Sequence, residues 1–415
     1  AAFLPKWPKF TRVLQKAMGT VNSFEDLKNL FVQLHSNPAK RWNFYALDHL
    51  IEKRFIERGK QRFFKAILPQ IISLVLQLPS LISLDVQLLK RGQPGRLTLS
   101  QAQVASLLAC AFLCLFPEEG RSKFLPSINL RPLFEANLRN VNIKEQKMLC
   151  ILNYFDRIGR KNSQDLSGNF ISFARKCVPS KTFESWKSST TEISDLHIMS
   201  GCIEDDVTGC LQVDFANKRI GGGVLGNGCV QEEIRFLICP ELIVSRLFTE
   251  DLDDSESVVI QGVERFSAYT GYGSTFKYAG NFDDQTVSDP SSKHRLTTIV
   301  AIDAMVVHKD AHQFKLQHVL RELNKAYCGF SPGVLAHASP FVATGKWGCG
   351  VFGGNLGLKT LIQLLATAEA GLGMKFYPFD DQAFPPELVR LHENMRRSRA
   401  TVGEVLTIMS TSCVA

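Results

Sequence analysis

The chain changes texture near residue 190, and that change constrains its fold more than any single motif. Before it, apolar residues recur at helical spacing and strand signals are scarce. The run "SFEDLKNLFVQLHS" opens with Ser23 and Asp26 in near capping-box spacing, and "LSQAQVASLLACAFLCLF" has Ser100 as its expected N-cap and is apolar nearly all round, as a core helix is. "IKEQKMLCILNYFDRIGR" is a third amphipathic pattern. After the polar connector "ESWKSSTTEISDLH", short β-branched runs begin: "CLQVDF", "SVVIQG", "LTTIVAIDA", "PFVATG" and "KFYPF". Helical patterns lie among them, as in "QEEIRFLICPELIVSRLF", "HQFKLQHVLRELNKAY" and "NLGLKTLIQLLATAEAG". Strands alternating with helices predict an α/β sheet flanked by helices over 191–415, preceded by an all-helical domain over 1–190.

Charge divides at the same place. Residues 1–200 carry 29 Lys and Arg against 15 Asp and Glu, whereas 201–415 carry 19 against 25. A basic half beside an acidic one fits a polyanionic partner steered by the first and processed by the second. The 11 cysteines show no CxxC or Cys/His spacing, which predicts reduced thiols in a nuclear or cytoplasmic setting and no metal site. The opening "AAFLPKWPKF" lacks a signal-peptide layout. The longest apolar stretch, Phe63–Leu84, contains Lys65, Pro69 and Pro79, and is expected to form a buried helical hairpin rather than a membrane span.

The chemistry concentrates in "GGGVLGNGCVQEE" (Gly221–Glu233), which holds five glycines in thirteen residues and ends in two carboxylates. Gly221, Gly223 and Gly226 match GxGxxG, but Asn227 and Gly228 continue the loop where a Rossmann helix would begin, so a nicotinamide cofactor is not expected. GxxxxGK[ST] occurs nowhere. A second glycine-rich loop, "GKWGCGVFGGN", follows "PFVAT". Two loops without Cβ atoms, at strand-to-helix junctions, suit a diphosphate gripped from both sides. Glu232 and Glu233 fall in the first turn of the next helix, about 100° apart, so they cannot do the same job. Asp214 ends the preceding strand and offers a third acid. A carboxylate beside a bound anion has its pKa raised, as a general acid requires.

"VDFANKRIGGGVLGNGCVQEEIRF" resembles the signature of the poly(ADP-ribose) glycohydrolases, a GGG run followed by QEE. "YTGYGSTF" and "ATGKWGCGVFGG" agree, and the helical first half resembles the accessory domain of the long, animal-type enzymes. The resemblance implies a macrodomain fused to a helical domain that hydrolyses ribose–ribose bonds of poly(ADP-ribose) by carboxylate acid/base catalysis. It assigns Glu233 as the acid/base and Glu232 to the ribose hydroxyls, with Asp214 and Asn217 in support. Gly222, Gly223 and Gln231 belong to the same substrate loop. Tyr272 would line the cleft; Gly350, Val351, Phe352, Gly353 and Gly354 would hold the diphosphate and distal ribose. Phe379 would stack at that end, and Ile203 and Glu204 would meet the adenine. No metal or other cofactor is implied. The partners are poly(ADP-ribose), poly(ADP-ribosyl)ated proteins and the product ADP-ribose, with no membrane, no sequence-specific nucleic acid and a monomeric chain. A non-catalytic macrodomain reader, or a hydrolase of mono-ADP-ribosyl groups, would share the fold; two acids beside the ribose have no purpose in a pure reader.

Overall fold

The computed structural model describes residues 6–35, 42–83, 85–117, 122–333, 339–381 and 383–411. Among the described residues there are ten strands: β1 (Gly95–Ser100), β2 (Phe170–Cys177), β3 (Leu196–Ile198), β4 (Leu211–Ala216), β5 (Glu256–Gln261), β6 (Ser267–Thr270), β7 (Lys277–Asn281), β8 (Thr298–Asp303), β9 (Phe341–Gly345) and β10 (Gly373–Tyr377). Eight form one sheet in the order β1-β2-β5-β8-β4-β9-β10-β3, and β6 pairs with β7 separately. The five strands from β8 to β3 run parallel; β5, β2 and β1 continue antiparallel. The five β-branched runs read from the sequence are β4, β5, β8, β9 and β10.

The α-helices of eight residues or more are α1 (Trp7–Ala17), α2 (Phe24–His35), α3 (Leu68–Leu81), α4 (Gln101–Phe112), α5 (Val141–Ile158), α6 (Gln231–Ile238), α7 (Leu316–Phe330), α8 (Leu356–Glu369), α9 (Phe384–Arg397) and α10 (Val402–Thr411). Both expected caps form. Ser23 Oγ accepts the Asp26 N–H at 3.1 Å while Asp26 accepts the Ser23 N–H at 3.1 Å. Ser100 and Gln103 reciprocate in the same way at the start of α4. Each such cap is worth about 1 kcal/mol to its helix.

Two expectations fail. Phe63–Leu84 is not a hairpin: residues 57–81 form one continuous helix. Its middle turn, Phe63–Ile67, is π-helical, so the ladder is already widened where Pro69 withholds its donor, and Pro79 falls in the last turn. By length and composition alone, this helix could cross a membrane. Leu68, Ile71, Ile72, Leu74, Val75 and Leu78 are instead buried, with α4 packed alongside. The border at residue 190 also fails for the sheet. β1 and β2 come from the first half; β2 pairs with β5, and β1 pairs with β2 at the edge of the sheet.

One hydrophobic core joins the two halves. It runs from Phe10 and Phe31 through Phe112, Phe134 and Phe155 to Ile220, Val224, Ile234 and Phe236 beneath the sheet. The opposite face carries a second core around Trp186, Val213, Val300, Trp347, Ile362 and Met374. Trp186 puts the polar connector to structural use: it is buried and donates to Asn324.

Candidate active site

The cleft exists because two parallel strands part. β4 pairs with β9 only at Leu211–Val342 and Gln212–Ala343, while it follows β8 along its whole length. Beyond Gln212 the carboxyl ends separate, which is where open α/β sheets take their ligands. A cavity of about 390 Å³ opens there. Phe215 and Ala216 of β4, Ala304 after β8, Gly345–Phe352 after β9, and Tyr377 and Phe379 at the end of β10 line it. Ile203, Glu204, Tyr269, Tyr272, Val230 and Gln231 complete its walls.

At the edge of this cavity the glycine run folds back on the start of α6. Glu232 accepts N–H bonds from Asn217 at 2.9 Å and Gly221 at 2.6 Å. Glu233 accepts from Gly223 at 2.8 Å and from Val230 at 2.9 Å, the latter closing the first turn of α6. The two acids are 3% and 6% exposed and follow directly on the wall residues Val230 and Gln231. Ile234 and Phe236 anchor the helix; burying such a side chain contributes about 1.5–3 kcal/mol. Gln231 is bound to the sheet: its side chain accepts the Phe215 N–H at 2.8 Å and donates to the Val213 carbonyl at 3.1 Å. The Gln of the motif thus locks helix to strand, and its side-chain amide is already occupied.

Asp214 is 1% exposed, and neither of its carboxylate oxygens has a hydrogen-bond partner. Burial pushes its pKa up to about 8, with Arg235 pulling down and Glu233 pushing up. Burial likewise holds Glu232 well above the usual carboxylate range, reinforced by Asp214 and Glu233 and opposed by its two N–H donors. The raised acids are therefore Asp214 and Glu232, and Asp214 holds a proton at neutral pH. A stability consequence follows. Asp214 in the unfolded chain ionises near 3.8 and in the folded chain near 8. Between those values the folded state binds the extra proton, so its stability declines as pH rises through the window. Asp214→Asn is expected to raise the melting temperature, negligibly at about pH 4 and increasingly towards about pH 8, a trend thermal melts across that range would check.

Of the other site residues read from the sequence, Ile203, Glu204, Tyr272, Gly350, Val351, Phe352 and Phe379 line the cavity. Asn217 contributes its N–H to Glu232 and turns its side chain to the Arg219 N–H. Gly222 and Gly223 face the carboxylates, and the amides of Gly221 and Gly223 are spent on them. Gly353 and Gly354 shape their loop from behind, with the Gly354 N–H on the Gly348 carbonyl at 2.8 Å. Tyr272 and Phe379 meet across the mouth at 5.3 Å, and Phe379 is held there with φ of 62°. Tyr269, Trp347 and Tyr377 were missed, although each lies in a stretch singled out for its neighbours. Tyr269 donates to Glu204, Tyr377 donates to Asp206 at 3.0 Å, and Trp347 is fully buried beneath the second loop. Lys346 at the rim pairs with Asp380 and Asp381. His337 lies outside the described residues. Among the described residues no group of three or more His, Cys, Asp or Glu side chains is placed to hold a metal ion.

Fold and site together give a macrodomain-type mixed sheet with three buried carboxylates grouped at the edge of its cleft. Residues 183–385 match the family described as poly(ADP-ribose) glycohydrolase (PARG), Macro domain fold, and residues 56–175 match its helical domain. Poly(ADP-ribose) glycohydrolase 1 of Arabidopsis thaliana is 35% identical across 88% of this chain and 80% of its own length. Probable poly(ADP-ribose) glycohydrolase 2 of the same plant is 35% identical across 85% and 79%. The chain belongs to the poly(ADP-ribose) glycohydrolase family. A solved poly(ADP-ribose) glycohydrolase from Deinococcus radiodurans in complex with ADP-ribose is a much looser match, with 13% identity and a TM-score of 0.31 over 54% of this chain and 94% of that one.

Proposed function

We propose that this chain hydrolyses the ribose–ribose O-glycosidic bonds of poly(ADP-ribose) and releases ADP-ribose. The observation that carries the reading is the pair of buried glutamates at the edge of the cleft, each accepting two backbone N–H groups, one of them from the glycine run. A binding module needs neither the acids nor their desolvation.

In this reading the adenosine end lies against Ile203 and Glu204, and the diphosphate against the loop from Gly350 to Gly354. Glu233 protonates the leaving ribose oxygen as the C–O bond breaks, and the charge left on the anomeric carbon is of oxocarbenium type. The ionised Glu233 then takes a proton from the attacking water, whose oxygen bonds the anomeric carbon. The sum is one water added and Glu233 regenerated. Glu232 orients the ribose hydroxyls. Asp214, protonated at neutral pH, keeps the cluster's negative charge low beside an anionic substrate.

The chain is read as working in a reducing nuclear or cytoplasmic setting, from the scattered cysteines of its sequence. The chain is read as acting alone, as a monomer. The test is release of free ADP-ribose from automodified poly(ADP-ribose) polymerase by the purified protein, followed by chromatography. Tight polymer binding without release would make the protein a reader.

A further inference from the structure

We propose that Lys147, supplied by the helical half, is a positioning residue that sets the orientation of the glycine loop and places a positive charge behind it for an anionic ligand. This rests on the functional reading above and gives the helical half a part in it.

Lys147 lies on α5 and is fully buried. Its ammonium donates to the carbonyls of Gly223 at 3.2 Å, Val224 at 3.0 Å and Gly226 at 3.0 Å, and to that of Gly228. Arg246 takes two more, Ile220 at 2.8 Å and Gly222 at 3.2 Å. The carbonyl side of the run is thus turned onto two buried cations. In a trans peptide the next N–H points the opposite way. The amides of Leu225, Asn227 and Cys229 therefore face away from Lys147, and among the described residues none of them donates to a backbone carbonyl. Those of Gly221 and Gly223 reach Glu232 and Glu233. Without the ammonium, the carbonyls of Val224, Gly226 and Gly228 would lose their donor, while that of Gly223 would keep only the Gly226 N–H at 2.8 Å.

The charge feels Glu233 but is not ion-paired. Among the described residues no carboxylate forms an ion pair with Lys147, whereas Lys359, beneath the second glycine loop, pairs with Glu322. Lys346, the cation lining the cavity, is already shared by Asp380 and Asp381. A diphosphate in the cleft would complete the charge that Lys147 leaves open. The groups facing Lys147 are Cys229 and Glu233 from the loop and α6, and Lys144 and Cys150 from α5. Burial lowers Lys147 to about 8, with Cys229 and Glu233 resisting, while burial raises Cys229 to about 12. Affinity for an anion is then full below the Lys147 value and lost as pH rises through it.

The test is calorimetric titration of the full chain with ADP-ribose and, separately, adenosine. Lys147→Gln keeps N–H donors without charge, and Lys147→Met keeps neither. Both variants are expected to bind ADP-ribose at least about tenfold more weakly at neutral pH, with adenosine affinity within about twofold of the parent. Parent affinity for ADP-ribose should fall steeply between about pH 7.5 and 9.5, and the Lys147→Gln profile should keep only the shallower fall that ionisation of Asp214 contributes there. Equal weakening of both ligands, or no weakening of ADP-ribose, overturns the proposal. If neither variant folds, the parent titration decides alone, and a flat ADP-ribose profile overturns it. A parent that binds adenosine but not ADP-ribose refutes the functional reading, and the proposal with it.

Discussion

Glu233→Gln should lower turnover of poly(ADP-ribose) by on the order of 10⁴-fold, because one residue serves as acid in the first step and base in the second. ADP-ribose affinity should stay within about tenfold, or about 1.4 kcal/mol. The geometry explains why the substitution is not silent structurally. Glu233 accepts two backbone N–H groups, from Gly223 and Val230. A glutamine amide can accept only one of them and turns its NH₂ towards the other. An unmet buried donor costs about 1–3 kcal/mol, so a modest drop in melting temperature should accompany the loss. Paired measurements of kcat and ADP-ribose affinity separate the roles. Polymer cleavage at the parent rate would refute the assignment of Glu233, and loss of binding in proportion to loss of rate would make it a scaffold residue instead.

The division of labour among the acids shows how far a sequence can be read. The loop, its two glutamates and Asp214 lie within one 20-residue stretch, so their types and spacing carried the chemistry. Which acid holds a proton depends on burial and on charges brought in by the fold, and the groups raised by that environment are Asp214 and Glu232. The same distinction runs through the fold. β4, β5, β8, β9 and β10 announce themselves because apolar β-branched runs suffice to make a buried strand. β2 does not, because it carries Arg175 and Lys176, buried only where Glu256 and the Ser331 carbonyl can receive them. Lys147 is the sharpest case. Within "IKEQKMLC" it reads as one more polar position on an amphipathic helix, and its partners lie 76 to 81 residues away. The motif shows where the acids are; the residue that holds their loop in place belongs to the half of the chain with no chemical motif at all.

Gly222→Ala should cost about 100-fold in kcat while leaving every acid in place by composition. An ideal Cβ at this position would lie 2.6 Å from Glu232 Oε2 and 2.6 Å from Glu233 Oε1, and the backbone there has φ of +42°. Neither carboxylate can step aside cheaply. Glu232 is tied to the Asn217 and Gly221 amides, and Glu233 to those of Gly223 and Val230, so retreat breaks at least one bond on each. A left-handed backbone adds about 1–2 kcal/mol for a side-chain-bearing residue. Displacing a catalytic group by about 1 Å costs roughly 10²-fold, which sets the size of the effect. Gly226→Ala is the comparison: its Cβ would meet nothing nearer than the Gly223 carbonyl at 3.5 Å, an ordinary contact. It should lose less than about a tenth of what Gly222→Ala loses, although both lie in the same loop. Similar losses in the two variants would mean that the loop needs flexibility at every glycine. A loss confined to position 222 means that the missing Cβ is the space in which the two acids sit.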